Sequence, residues 1–229
     1  MSHRPYVLLS AATSVDGYLD DTSPQRLLLS NAADFDRVDQ VRAGCDAILI
    51  GAGTIRADNP RLIVNSEHRR ADRVARGMSA YPLKVTVTRT GNLDPDLKFW
   101  HHGDDKLVYT ISSSAEKIAK QLSGLAEVVS LGVDVDFGAL LDDLGARGVR
   151  RLMVEGGEQV HTMFLSQGLA DELHLVIAPL LVGDAAAPRF LAPATYPDGT
   201  TRRMRLVEAR TLGDVVLLRY LPKEESATV

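Results

Sequence analysis

The chain of 229 residues contains one cysteine, Cys45. A single thiol excludes an internal disulfide framework and any zinc site that needs two thiolates. It also fits a reducing, cytoplasmic setting. Long apolar runs are missing as well. His3 and Arg4 precede Tyr6-Val7-Leu8-Leu9 as the basic end of a secretory signal would, but Ser10 interrupts the run. What remains is too short for a signal core and far too short for a membrane span. Positive charge is not in excess: the formal net charge is −4, so no general attraction to nucleic acid is expected. None of the six histidines lies in an H-x-E or H-E-x-x-H arrangement, and no P-C-x-x-C, G-x-S-x-G or Walker A sequence occurs. Zinc deaminase, serine hydrolase and P-loop chemistry drop away, and no metal is expected.

What is present is an ordinary globular composition, 45% hydrophobic and 24% charged, which supports a core without covalent staples. The length suits one domain, taken as residues 1–222, with 223–229 as a flexible tail. Runs of strand length at Tyr6–Ala12, Ala47–Ile50, Val85–Thr88, Leu107–Ile111, Glu127–Leu131 and Leu152–Val154 alternate with helical patterns at Asp34–Ala43, Ala115–Leu122, Phe137–Leu144 and Gln159–Leu169. That alternation predicts an α/β protein with a mostly parallel central sheet flanked by helices. The last third differs: Glu172–Ala178, Met204–Leu212 and Val215–Leu221 read as strands, the last two joined at Gly213-Asp214 in the manner of a II′ turn. The fold class is therefore α/β with a C-terminal antiparallel hairpin. The arginine-rich stretch Asn65–Tyr81, with Arg69, Arg70, Arg73 and Arg76, reads as a solvated charged surface, with a short helix or a loop over a phosphate as the rival.

Two glycine turns follow strands. Gly51-Ala52-Gly53 leads into Thr54, where bare backbone and a helix start favour a phosphate, although a plain tight turn explains it as well. It is no dinucleotide fingerprint, because Arg56 stands where a third glycine is required. Glu155-Gly156-Gly157 is better placed, at the C-terminal end of a strand and the start of a helix, where α/β sheets bind ligands. An acid there can hold a donor or pass a proton. Asp58-Asn59-Pro60 is a turn by composition and a candidate acid by position. Ser14-Val15-Asp16-Gly17 is a turn. Thr88-Arg89 suits either a strand end or a clamp on the 2′-phosphate of NADPH.

In order along the chain, Pro5-Tyr6-Val7 with Ser14-Val15-Asp16-Gly17, Arg42-Ala43-Gly44 with Asp46-Ala47-Ile48-Leu49, Gly53-Thr54-Ile55 with Asp58-Asn59-Pro60-Arg61-Leu62, Val154-Glu155-Gly156-Gly157, and Leu169-Ala170-Asp171-Glu172-Leu173 running to Ala178-Pro179-Leu180-Leu181-Val182-Gly183 resemble the reductase domain of the bacterial riboflavin-biosynthesis deaminase–reductase. The resemblance covers Pro5 to Leu221 and implies a dihydrofolate reductase-like fold, here in a standalone form. It implies NADPH along Ala12, Thr54 and Asp58, with its phosphates at Gly157, Glu158, Gln159 and Val160; the glycine turns add Gly51, Gly53 and Gly156. It implies substrate contacts at Glu155, Arg42 and Leu62, and hydride transfer to C1′ of a ribosylaminouracil phosphate, with Asp58 or Glu155 as the proton donor. Relatives form homodimers.

Departures are also visible. Ser10 stands where the family usually has lysine, Arg26-Leu27-Leu28 replaces Ser-x-Trp, Asn65 replaces a phosphate-holding arginine, and Thr88-Arg89 replaces Asp-Ser. Arg26, Arg61 or the Arg69–Arg76 run are candidates to take over the phosphate. Two other readings remain: an NADPH-dependent pterin or dihydrofolate reductase on the same fold, and an inert NADPH sensor.

Overall fold

A computed structural model describes residues 4–197, 199–201 and 203–225. Contacts divide the chain into two compact units: Asp39–Met153 with the N-terminal residues through Pro5, and Tyr6–Val38 with the residues from Val154 onward. The elements in chain order are β1 (Tyr6–Ser14), α1 (Ala32–Ala43), β2 (Ala47–Gly51), α2 (Ala52–Asp58), α3 (Glu67–Ala75), β3 (Leu83–Val87), α4 (Lys98–His101), β4 (Lys106–Thr110), α5 (Ser112–Gln121), β5 (Glu127–Ser130), α6 (Phe137–Ala146), β6 (Arg151–Val154), α7 (Glu158–Ser166), β7 (Glu172–Ala178), β8 (Met204–Leu212) and β9 (Val215–Glu225). Each expected strand is present with ends shifted by a few residues. β9 runs on to Glu225, and the rest of the expected tail, 226–229, lies outside the described residues.

In the first unit the strand order is β5-β4-β3-β2-β6. β2 pairs parallel with β3, β3 with β4, and β4 with β5. Every residue of β2 is buried, as a continuous Ala-Ile-Leu-Ile run requires when both faces are covered. β3 is less obvious in sequence, because Lys84 and Thr86 alternate with valines and are themselves fully buried.

The arginine-rich stretch is a solvated surface only in part: Glu67, His68 and Arg76 are exposed, while Arg69, Arg70 and Arg73 turn to protein partners. Ser66 caps α3 by accepting from the Arg69 amide. Arg73 is 2% exposed and donates to the carbonyls of Ala43, Cys45 and Ser79. Arg69 pairs with Asp39, and Arg70 donates to the carbonyls of Val64 and Asn65. These guanidiniums satisfy carbonyls that no strand or helix ladder reaches, which hydropathy alone does not reveal.

In the second unit the order is β1-β7-β9-β8, with β1–β7 parallel and the β7–β9 and β9–β8 pairs antiparallel. This is the expected antiparallel close. Gly213 has φ +65 while Asp214 does not share a positive φ, the pattern of a II′ turn. Asn31 starts α1: its Oδ1 accepts from the Asp34 amide at 3.0 Å.

A polar network lies among β7, β9, β8, β1 and the start of α1. Arg37 donates to His174 Nδ1 at 3.1 Å and pairs with Asp34. His174 Nε2 in turn lies 2.8 Å from Glu172 Oε1 and 3.1 Å from Arg219 Nε. Arg219 holds Glu172 on one side and Glu208 on the other, and the Tyr6 hydroxyl reaches Glu172 Oε2.

Candidate active site

Within the first unit, Gly51 ends β2 opposite Val87 of β3, so α2 and Thr88 leave from adjacent strand ends. Gly51 is the N-cap of α2, and Gly53 and Thr54 lie in its first turn rather than in a loop. Asp58 is the last residue of α2. Asn59 follows in the left-handed region, at φ 42, with its amide bonded to the Ile55 carbonyl, and Pro60 then ends the helix. Leu62, also left-handed at φ 49, is buried.

The segment after α2 is pinned by side chains from its surroundings. Asn59 Oδ1 accepts from the Lys98 amide at 2.7 Å. Lys84 Nζ donates to the Arg61 carbonyl at 2.9 Å. Arg42, from the last turn of α1, donates to the Ile63 carbonyl at 3.1 Å. The Asp39 carboxylate accepts from the amides of Asn65 and Ser66. Although burial raises the Asp39 carboxyl, the bonds from Asn65, Arg69 and Ser66 outweigh it and leave the group below its ordinary value. Arg42 and Leu62 are thus brought to one loop.

Thr88 and Arg89 already have partners. The Thr88 hydroxyl accepts from the Gly91 amide at 3.1 Å, and the Arg89 guanidinium pairs with Asp134 on the surface. An exposed pair of this kind contributes little, so an anion can compete with Asp134 for Arg89.

Within the second unit, Ala12 stands opposite Val176 and packs beside the apolar cluster of Leu29, Val176, Ala178, Val215 and Leu217. Arg26 is exposed in the segment before α1. Glu155, Gly156 and Gly157 connect β6 to α7. Gly157 is the extended N-cap, and the first helical bond runs from the His161 amide to the Gly157 carbonyl at 3.1 Å. The amides of Glu158, Gln159 and Val160 precede that bond, so the helix offers them no acceptor. A Cβ built on Gly156 would lie 2.6 Å from Val160 Cβ. The backbone therefore turns into α7 with no room for a side chain at Gly156, and the amides of the first turn suit a phosphate.

The Glu158 carboxylate is directed elsewhere: it accepts from the Arg189 amide at 2.8 Å, while the Thr162 hydroxyl accepts from the Ala192 amide. Arg189 stacks over the Tyr18 ring and donates to its hydroxyl. His161 is buried beside Phe190, and burial lowers it to about 4. The sequence reading passes over Lys84, Asp39, Arg189 and His161. Only the alternation Lys84-Val85-Thr86-Val87 hints that the first of these sits inside a strand.

Gly156→Ala is expected to cost about 1–3 kcal/mol, the usual range for overpacking. Because Val160 Cβ itself is the obstacle, adding Val160→Ala, which keeps that atom, should not restore stability. Urea denaturation of the single and double variants measures this.

Residues 5–218 match the RibD C-terminal domain family. The chain belongs to that family. It is 36% identical over 214 residues to the 2,5-diamino-6-ribosylamino-4(3H)-pyrimidinone 5′-phosphate reductase of Archaeoglobus fulgidus, covering 92% of this chain and 95% of that one. The reductase of the same name from Methanothermobacter thermautotrophicus is 33% identical, with 96% and 99% covered. Acinetobacter baumannii RibD superposes with a TM-score of 0.78 at 24% identity over 96% of this chain. The chain spans 59% of that RibD protein. The mixed α/β fold read from the sequence is the fold of this RibD domain family. Among the described residues no helix is long and apolar enough to cross a membrane, and no cluster of His, Cys, Asp and Glu is arranged to hold a metal ion.

Proposed function

We propose that this RibD-family chain is an NADPH-dependent reductase of riboflavin biosynthesis that converts the ribosylamino group of a pyrimidine 5′-phosphate to a ribitylamino group. The end-to-end likeness to the archaeal reductases carries this reading. Those relatives are pyrimidinone phosphate reductases by name, which does not favour the dihydrofolate alternative.

The reaction requires the glycosylamine ring to open to an imine, then addition of a hydride at C1′ and of a proton at nitrogen. NADPH supplies the hydride when bound. The amides of Gly157, Glu158, Gln159 and Val160 receive its phosphates, with Gly156 keeping the approach clear and Ala12 offering bare main chain. Gly51, Gly53, Thr54 and Asp58 are further cofactor contacts, and Thr88 and Arg89 hold its 2′-phosphate by displacing Asp134. Arg42, Leu62 and Arg26 contact substrate. Glu155 holds the substrate and, with Asp58, is one of two carboxyl groups able to protonate the imine nitrogen or stabilise the iminium.

The chain works in the cytoplasm, in keeping with its lone buried Cys45. It forms a homodimer, for which the exposed Met204, Leu206 and Val207 on the terminal strand β8 offer an apolar edge.

Purified protein mixed with the pyrimidine phosphate should oxidise NADPH, and NADH more slowly, with no response to dihydrofolate. Absence of substrate-dependent oxidation at high enzyme concentration overturns the reading. Sedimentation velocity reads the dimer.

A further inference from the structure

Lys84 is the one lysine with no exposed surface among the buried groups of the first unit, and the reaction chemistry gives it no task. It is the second residue of β3. Its ammonium donates to the Arg61 carbonyl at 2.9 Å and to the Phe99 carbonyl, and it lies 4.3 Å from the centre of the Phe99 ring. Among the described residues no carboxylate pairs with it. Burying an unpaired ammonium is costly, and burial, with Lys106 nearby, lowers Lys84 to about 7.

The two carbonyls it joins belong to segments that no ladder connects. Arg61 precedes Leu62, and Phe99 lies in α4. A second bond runs between the same segments, from the Lys98 amide to Asn59 Oδ1. Asn59, which carries the second tie, and Leu62, which directly follows the first, are the two non-glycine residues with positive φ among those described. For leucine this conformation is disfavoured and persists only where surrounding structure imposes it. Lys84 grips the carbonyl immediately before the strained residue.

We infer that Lys84 is a positioning residue that holds the 58–65 segment in the conformation needed to receive substrate. The inference rests on the proposed reductase reading, which places Asp58 and Leu62 at the reacting molecules. Lys84 itself touches neither cofactor nor substrate. Its two carbonyl bonds set the backbone from which Leu62 and Asp58 are presented, so a displacement of the segment acts on substrate orientation.

The test compares Lys84→Met, which keeps the stem and loses the donors, with Lys84→Arg, which keeps donors, and with Leu144→Ala, a buried α6 position remote from this segment in sequence. Lys84→Met should lower kcat/KM by about 10- to 100-fold, mainly through a higher KM for the pyrimidine phosphate. Its affinity for NADPH, read by fluorescence titration, should fall by a smaller factor than that for the pyrimidine phosphate, because Asp58 is the one proposed cofactor contact in the 58–65 segment. Lys84→Arg should recover part of the loss, and Leu144→Ala should lower the melting temperature without raising KM.

Hydrogen exchange supplies a readout independent of turnover: the amides of 59–66 should lose protection in Lys84→Met and keep it in Leu144→Ala. Unchanged exchange in 59–66, or loosened exchange with an unchanged KM, overturns the inference. If the wild type reduces no pyrimidine phosphate, the reductase reading fails and the substrate role fails with it, while the exchange result still decides whether Lys84 orders the segment. If Lys84→Met does not fold, Lys84→Gln, with a shorter stem and one amide donor group, is read in the same way.

Discussion

Replacing Glu155 with glutamine is expected to lower kcat by about 10²- to 10⁴-fold, the range for loss of a positioned acid or base. The side chain follows β6 directly and is half-buried at the start of the glycine turn into α7. Glutamine preserves its shape and one acceptor, so the variant removes charge and proton while leaving the turn alone. The melting temperature should therefore move little. Asp58→Asn is the companion, because Asp58 closes α2 in the other unit. If one carboxyl group delivers the proton and the other only binds, one variant loses kcat and the other raises KM. Near-wild-type kcat and KM in both would mean that solvent protonates the nitrogen, and the roles assigned to both residues would fall.

Removing Glu172 should have a large effect on stability. It is 3% exposed and accepts hydrogen bonds from His174, Arg219 and Tyr6. Glu172→Ala takes the carboxylate from buried His174 and leaves the partly exposed Arg219 with Glu208 alone, and is expected to cost about 1–3 kcal/mol, the range for a buried polar group left without its partner. Replacing Glu172, His174 and Arg219 together with apolar residues should cost much less, since no buried charge is left without a partner. Urea denaturation of the single and triple variants distinguishes the two cases, and equal losses would refute the argument.

Acid titration tests the same group. Burial alone would raise Glu172, but hydrogen bonds from His174 and Arg219 outweigh burial and bring it to about 2, from an ordinary 4.5. A depressed carboxyl contributes stability that is complete above the unfolded value and is lost as pH falls from about 4.5 towards 2, on the order of 3 kcal/mol. Buried His161, lowered from 6.5 to about 4, acts in the same direction at higher pH. The unfolded imidazole takes up its proton first, so stability falls between about 6.5 and 4. His161→Leu should remove this upper part of the acid limb and leave the lower part in place.

Much of this was legible in the residues themselves. Apolar runs such as Ala47–Ile50 and turn residues at Gly213-Asp214 specify strands and the closing hairpin through local preference, which needs no knowledge of distant neighbours. The ordered motifs from Pro5 to Leu221 pointed to the family, and the match over residues 5–218 bears that out. The candidate site was legible as a set of positions: two glycine turns, two carboxyl groups and an arginine beside a threonine.

What those positions do to one another was not legible. Arg73 looked like a surface charge and is a buried donor to three carbonyls. Gly156 looked like an opening for a ligand and is also required by the 2.6 Å approach to Val160. Lys84 stood just before the strand expected at Val85–Thr88 and drew no reading of its own, yet it lies in β3 and wholly inside.

The single cysteine, the short apolar runs and the net charge of −4 set by themselves the class of molecule, because composition limits which cores and metal centres a chain can build. Only the tertiary structure decided where each charge goes. A buried carbonyl with no ladder partner must find a donor, and which arginine or lysine supplies it depends on segments that meet only in the folded chain.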